Sequence, residues 1–288
     1  MSANNIEEIT KGETIRPWGY EPPFMALVKE NYKLEYGSLW GIFAHPNSLF
    51  SRGIGKSVLA LRMLYWAYGS WDEAKQYIFY TPQEFVNKFK ELYDKGKRAP
   101  LVVWDDAGEW LFRARFREKF AITVIEYLEV IRTVVANLLF TATSINKLLK
   151  GVRESIKYVI LIKSEGTWGS GDKRVKVSKA TLYLNSEDLW AWSPNKKRPE
   201  PLMEYTFYVL LPDHVYQWYN EYRRKYVGLA LEKTRRELEA LAKEAMEELT
   251  EIVRSADKKH VDESKDESEE DEEVEMDLEE FKTKYGYS

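Results

Sequence analysis

The sequence predicts an α/β protein, a three-layer fold around a parallel β-sheet with a small β appendage and a long C-terminal helix. Between residues 39 and 163, short apolar runs alternate with stretches of helical periodicity, which favours parallel strands joined by helices. The run at 101–104 is apolar at every position, as in a strand covered on both faces. After residue 166, apolar and polar residues alternate, which indicates antiparallel strands in an appendage or at a sheet edge.

The predicted elements follow from these patterns in chain order. Five apolar runs are predicted strands, at residues 39–43, 76–80, 101–104, 138–143 and 158–163. The helices between them are predicted at residues 56–68, 81–96, 120–136 and 144–156. Thr81, Pro82 and Glu84 predict a capping box with proline in the first turn, and Ser144 is a predicted N-cap. The appendage strands and the long helix are predicted at residues 174–184, 205–211 and 213–254.

Composition excludes several classes of site. The chain contains no cysteine, which excludes disulfides, thiolate metal sites and cysteine nucleophiles. Its three histidines (His45, His214 and His260) are far apart in sequence, so a histidine metal site is not expected. No apolar run approaches the roughly 20 residues of a membrane-spanning helix, and the N-terminus lacks the pattern of a signal peptide. We therefore expect a cytoplasmic protein that has no membrane partner.

Proline content and charge divide the chain into four predicted regions. Residues 1–36 contain three prolines and form an N-terminal extension, and residues 37–212 form the main domain, with the β appendage beginning at about 166. Residues 213–255 form the long helix. Residues 262–280 contain thirteen acidic residues and one lysine, a charge imbalance that predicts a disordered acidic tail at 256–288.

Residues 53–57, with the sequence Gly-Ile-Gly-Lys-Ser, predict a phosphate-binding loop, or P-loop, at the start of the first helix. Nucleotide phosphates need backbone N–H groups at a helix N-terminus, one lysine, and one hydroxyl for Mg²⁺. Gly53 and Gly55 can adopt the positive φ angles of such a loop. Lys56 is expected to bind the β- and γ-phosphates, and Ser57 to ligate Mg²⁺. The full P-loop pattern is not met, because its first glycine is missing.

A second motif follows the apolar run at 101–104. Asp105 is expected at the end of a strand adjacent to the first one, where it would hold Mg²⁺ directly or through water. Asp106 is expected to orient the attacking water, with Glu109 as a second candidate. Thr141 or Thr143 fits a polar sensor near the γ-phosphate, and Thr143 is included in the candidate site.

Either motif alone has a plain structural explanation, the loop as a connection and the two aspartates as a helix cap. Both motifs together, in the right order and on the right elements, favour binding of ATP with Mg²⁺. A helix, a strand and a helix lie between Lys56 and Asp105. By fold-level analogy, this extra strand between the two nucleotide motifs places the domain among RecA/AAA+-like P-loop NTPases.

Three segments carry a resemblance to a known family. Residues 102–111 (VVWDDAGEWL), 139–144 (LFTATS) and 211–219 (LPDHVYQWY) resemble the DnaA-like P-loop ATPases of fuselloviruses and related plasmids of thermophilic archaea. The resemblance implies a RecA/AAA+-type domain that handles viral or plasmid DNA in replication or packaging. The chain departs from the family pattern by about six inserted residues, 45–50, and by Phe50 in place of the first glycine.

We therefore expect an ATPase of a viral or plasmid element that acts on DNA, located in the host cytoplasm if viral. The alternative is a non-hydrolysing nucleotide-binding or scaffold protein whose altered loop has lost turnover. Homo-oligomers are common among such folds, and the sequence leaves self-association open. Four basic clusters are candidate DNA contacts, with ordinary solvated surface as the competing explanation. They contain Arg113, Arg115 and Arg117; Lys173, Arg174, Lys176 and Lys179; residues 196–198; and residues 223–225.

Overall fold

The computed structural model of the protein describes residues 19–111, 126, 130–171, 174–186, 189 and 199–229, and most positions from 231 to 250. The chain divides into two compact units, Met1–Arg223 and Arg224–Ser288, so the division falls inside the predicted long helix. The described residues of the second unit are helical. Several predictions lie outside the described residues: most of the helix at 120–136, the basic residues 113, 115, 117, 173 and 196–198, and the acidic tail.

One seven-stranded, mostly parallel sheet organises the first unit, in the order β2-β3-β4-β1-β5-β6-β7. The strands are β1 (Ser38–Ala44), β2 (Ile78–Phe79), β3 (Val102–Trp104), β4 (Asn137–Thr141), β5 (Ile156–Trp168), β6 (Val175–Leu184) and β7 (Met203–Tyr208). The first five are parallel, and β6 and β7 add antiparallel pairs at one edge. The mixed α/β class is confirmed. The expected appendage is the continuation of the same sheet.

The neighbour predicted for β3 is wrong. Asp105 was expected on a strand beside β1, but β4 lies between β1 and β3. In the register, Phe140 of β4 pairs with Gly41 on one side and with Trp104 on the other. Strand adjacency is a long-range property that local apolar runs do not encode. As a consequence, the end of β4 reaches the candidate site between the other two strands.

The helices whose bounds lie within the described part of the first unit are α1 (Met25–Lys33), α2 (Lys56–Tyr68), α3 (Trp71–Ala74), α4 (Pro82–Asp94), α5 (Lys150–Ser155) and α6 (residues 213–223). The capping box of α4 is confirmed: the hydroxyl of Thr81 accepts from the backbone N–H of Glu84, whose carboxylate accepts from the N–H of Thr81. The helix predicted at 144–156 is wrong as one element. Ser144 caps only a 3-10 turn, Ile145–Lys147.

Two leucines explain why the helix after Ser144 is interrupted. Leu148 has an extended backbone, with φ −82° and ψ 151°, and its side chain is fully buried. The backbone N–H of Leu149 donates to the carbonyl oxygen of Leu111 at 3.1 Å, outside any helix. Burial of this leucine pair and its link to residue 111 outweigh the local helical periodicity, and α5 begins only at Lys150.

A buried asparagine joins α1 to the centre of the sheet. The side-chain oxygen of Asn137 accepts from Asn31 Nδ2 at 2.8 Å and from Trp40 Nε1 at 3.0 Å. Its amide nitrogen donates to the carbonyl oxygens of Val28 and Pro100. Because buried polar groups need partners, this network fixes one arrangement of α1 on β1 and β4.

Candidate functional site

The loop at 53–57 has the backbone geometry that its glycines predict. Gly53 and Gly55 have φ angles of 68° and 93°, and α2 begins at the next residue, Lys56. A methyl group on Gly55 would lie 2.9 Å from Val209 Cγ2 and 3.1 Å from Phe207 Cε2. Gly55 is therefore required both for its left-handed backbone and for the space beside the end of β7.

Lys56 lies folded against this loop. Its side chain is buried, and Nζ donates to the carbonyl oxygen of Ser51 at 2.6 Å. Burial lowers the pKa of Lys56, while the charges of Asp106 and Asp105 act in the opposite direction. A desolvated ammonium at a helix N-terminus offers strong attraction to an anion that enters the loop.

Asp105 is the centre of the site. Its carboxylate is fully buried, and Oδ1 accepts from Ser57 Oγ at 2.9 Å and from Thr141 Oγ1 at 2.5 Å. Oδ2 accepts from Tyr219 Oη at 2.8 Å. Among the described residues, Asp105 forms no ion pair. Three hydroxyls, from α2, β4 and α6, thus hold a buried carboxylate that has no countercharge in contact with it among the described residues.

The two residues expected to orient water and the candidate sensor lie in different surroundings. Asp106 has a left-handed backbone, with φ 49°, and its Oδ2 lies 3.2 Å from the guanidinium of Arg223. Glu109 ends the 3-10 turn Ala107–Glu109, and its side chain lies outside the described part of the chain. Thr143 Oγ1 is buried two residues past β4, and it has no hydrogen-bond partner among the described residues. The structure therefore joins Thr141, rather than Thr143, to Asp105.

Two residues of α6 reach the aspartates and were not predicted as site residues. Tyr219 contacts Asp105, and Arg223 contacts Asp106. Their spacing of four residues places both side chains on one face of the helix. Tyr219 lies in a segment that carried the family resemblance, and Arg223 lies in a cluster assigned to DNA. The i, i+4 spacing was visible in the sequence, but the strand end that this face covers was not.

Burial also affects the tyrosines beside Asp105. It raises the pKa of Tyr219 and of Tyr80, and the charge of Asp105 acts in the same direction on both. Both phenols therefore keep their protons at neutral pH. Tyr219 can serve as a permanent hydrogen-bond donor to Asp105.

The sequence relatives of this chain are viral. No family model matches it. The uncharacterized protein B-251 of Sulfolobus spindle-shape virus 1 is 27% identical over 194 residues, which cover 63% of this chain and 74% of that protein. The uncharacterized protein ORF286 of Acidianus two-tailed virus is 28% identical over 137 residues, covering 46% of this chain and 45% of that protein. The expected relation to archaeal viruses is confirmed, whereas nothing in these matches supports the DnaA-like part of the resemblance.

Solved structures are also among the matches of this chain. The N-terminal domain of zonular occludens toxin from Neisseria meningitidis aligns at 12% identity with a TM-score of 0.35, covering 63% of this chain and 98% of that domain. Within the part of the chain that the structure describes, no helix has the length and apolar character needed to cross a bilayer.

Proposed function

We propose that this chain binds ATP with Mg²⁺ at residues 53–57 and hydrolyses it. One observation carries the proposal: Ser57 Oγ donates to Asp105 Oδ1 at 2.9 Å, so two motifs that are 48 residues apart in sequence meet at one point. A loop that is only a connection, or an aspartate pair that only caps a helix, would not require this contact. The contact therefore favours one shared site over those two structural explanations.

The donor set around Asp105 fits Mg²⁺. This cation prefers oxygen ligands and is commonly held by one or two carboxylates, together with phosphate oxygens and water. Asp105 supplies a buried carboxylate without an ion pair among the described residues, and Ser57 supplies a hydroxyl beside it. Ser57 and Asp105 would hold the ion, which would neutralise negative charge that develops on the phosphate oxygens.

The remaining residues take the roles that phosphoryl transfer needs. Lys56 binds the β- and γ-phosphates, with the backbone N–H groups that follow Gly53 and Gly55. Asp106 orients the attacking water, with Glu109 as the second candidate. Thr143 remains the candidate sensor, and its buried hydroxyl without a partner among the described residues supports that role.

The cellular role proposed for this activity is work on DNA for a viral or plasmid element, in replication or packaging. The archaeal viral relatives support the setting. The order β2-β3-β4-β1-β5 supports a RecA/AAA+-like domain, because a strand lies between the loop strand and the aspartate strand. Thr141, at the end of the intervening strand β4, donates to Asp105.

The second candidate function is nucleotide binding without turnover. It is favoured by the ion pair between Asp106 and Arg223, at 3.2 Å, which occupies the carboxylate expected to orient water. In this alternative, the chain acts as a nucleotide-dependent scaffold, and the altered loop retains binding alone.

Measurements of ATP binding and phosphate release, with and without DNA, separate these functions. We expect Lys56→Ala to weaken ATP binding at least tenfold, since a charge-assisted contact contributes about 1.5–3 kcal/mol. Asp106→Asn is expected to keep binding and lose turnover. Lys95→Ala, an exposed lysine paired with Glu91, serves as the matched control. Turnover that survives Lys56→Ala would refute the site, and binding without turnover in the unmodified chain would favour the second function.

A further inference from the structure

The antiparallel edge of the sheet forms a wall beside the phosphate loop. Ser178 of β6 is buried, and its hydroxyl donates to the carbonyl oxygen of Ile54 at 2.9 Å. On the β7 side, Val209 and Phe207 leave no room for a side chain at Gly55. The loop is therefore held from the side by strands that lie more than 100 residues later in the chain.

Lys176 of β6 points toward the same loop. It precedes Ser178 by two residues, so both side chains leave the same face of the strand. A methyl group on Gly53 would lie 3.6 Å from Lys176 Nζ, which places the ammonium beside the first glycine of the loop. The backbone of Lys176 is fixed there, because its carbonyl oxygen accepts from the N–H of Val209 at 2.8 Å.

The charge of Lys176 is available for a ligand. Among the described residues it forms no ion pair, whereas Lys179, on the opposite face of the same strand, pairs with Glu204 at 2.8 Å. Lys176 joins Lys56 and Arg52 at the loop, and the charge of Arg52 is close enough to lower the pKa of Lys56. Three cations around the loop attract a polyanion more strongly than a single lysine does.

We propose that Lys176 is a second phosphate-binding residue of the nucleotide site, supplied by the antiparallel edge of the sheet. This inference rests on the proposed function, since it names a further group at the same loop. It gives the site a preference for polyphosphates over monophosphates. It also identifies a cation that lies outside the loop motif, in a chain whose loop lacks the first glycine.

The test is direct binding of inorganic tripolyphosphate, ATP and AMP to the full chain by calorimetry. Lys176→Gln is expected to weaken tripolyphosphate and ATP binding about tenfold or more, with a smaller effect on AMP, because a charge-assisted contact to phosphate is lost. Lys176→Arg is expected to restore most of the affinity. Lys179→Gln is the matched control, on the same strand and facing away from the loop. Since Lys176 is exposed, the thermal midpoint without ligand should stay unchanged.

The outcomes separate the inference from the function on which it rests. If Lys176→Gln binds tripolyphosphate as tightly as Lys179→Gln does, while Lys56→Ala does not bind, the role of Lys176 is wrong and the nucleotide site stands. If the unmodified chain binds neither ATP nor tripolyphosphate, the proposed function fails and the inference fails with it.

Discussion

Replacing Tyr219 with phenylalanine removes one hydroxyl from the contact between α6 and Asp105. Tyr219 is only 6% exposed, and its hydroxyl donates to Asp105 Oδ2 at 2.8 Å. The ring remains, so no large cavity forms, and Asp105 keeps the donors from Ser57 and Thr141. A hydrogen bond to a charged group contributes about 1.5–3 kcal/mol, so we expect Tyr219→Phe to lower the free energy of unfolding by that amount.

Urea unfolding of single and double variants measures this contribution. In the background of Asp105→Asn the charged acceptor is gone, so Tyr219→Phe should cost much less there than in the unmodified chain. Tyr222→Phe is the control on the same helix, since its hydroxyl lies 3.0 Å from Glu84 Oε1 rather than at Asp105. Equal losses for Tyr219→Phe in both backgrounds would show that the hydroxyl does not act through Asp105.

Three further predictions concern the loop, the sheet and the surface. Gly55→Ala should weaken ATP binding and lower the thermal midpoint more than Gly69→Ala, because both have positive φ but only Gly55 lacks space for a methyl group. Asn137→Ala should cost about 3–5 kcal/mol in urea unfolding, since buried partners lose their hydrogen bonds. Hydrogen bonds from Lys95 and Lys88 lower the pKa of Glu91. Glu91→Gln should therefore lower the free energy of unfolding at neutral pH, by less than about 1 kcal/mol. This difference between the two proteins should disappear in acid, as the pH falls below the pKa of Glu91.

The sequence could predict those parts of the site that local chemistry determines. A loop that needs positive φ selects glycine, and Gly53 and Gly55 adopt such angles. A buried parallel strand selects a continuous apolar run, which places Asp105 at the end of β3. The capping box of α4 is likewise local, because its donors and acceptors lie within three residues of one another.

Parts of the site that depend on contacts distant in sequence could not be predicted in this way. The position of β4 between β1 and β3 follows from the packing of the whole sheet, and it brings Thr141 to Asp105. The face of α6 that carries Tyr219 and Arg223 has an ordinary helical spacing, and only the fold shows that it covers the aspartates. The packing of the β6–β7 edge beside Gly55 likewise depends on contacts that are distant in sequence.

Residues 45–50, which the family resemblance treats as an insertion, lead from β1 toward the phosphate-binding loop. The backbone N–H of His45 donates to the carbonyl oxygen of Ile162, which continues the pairing of β1 with β5. The segment then closes its own turn, with Ser48 Oγ donating to the carbonyl oxygen of Phe50 at 2.7 Å. Leu49 is 96% exposed, so this segment extends outward. Because Gly53 and Gly55 have left-handed backbones and α2 begins at Lys56, the segment leads into a loop whose backbone geometry suits contact with phosphate. We therefore expect this segment to affect phosphate binding little, and the feature that bears on turnover is the ion pair between Asp106 and Arg223.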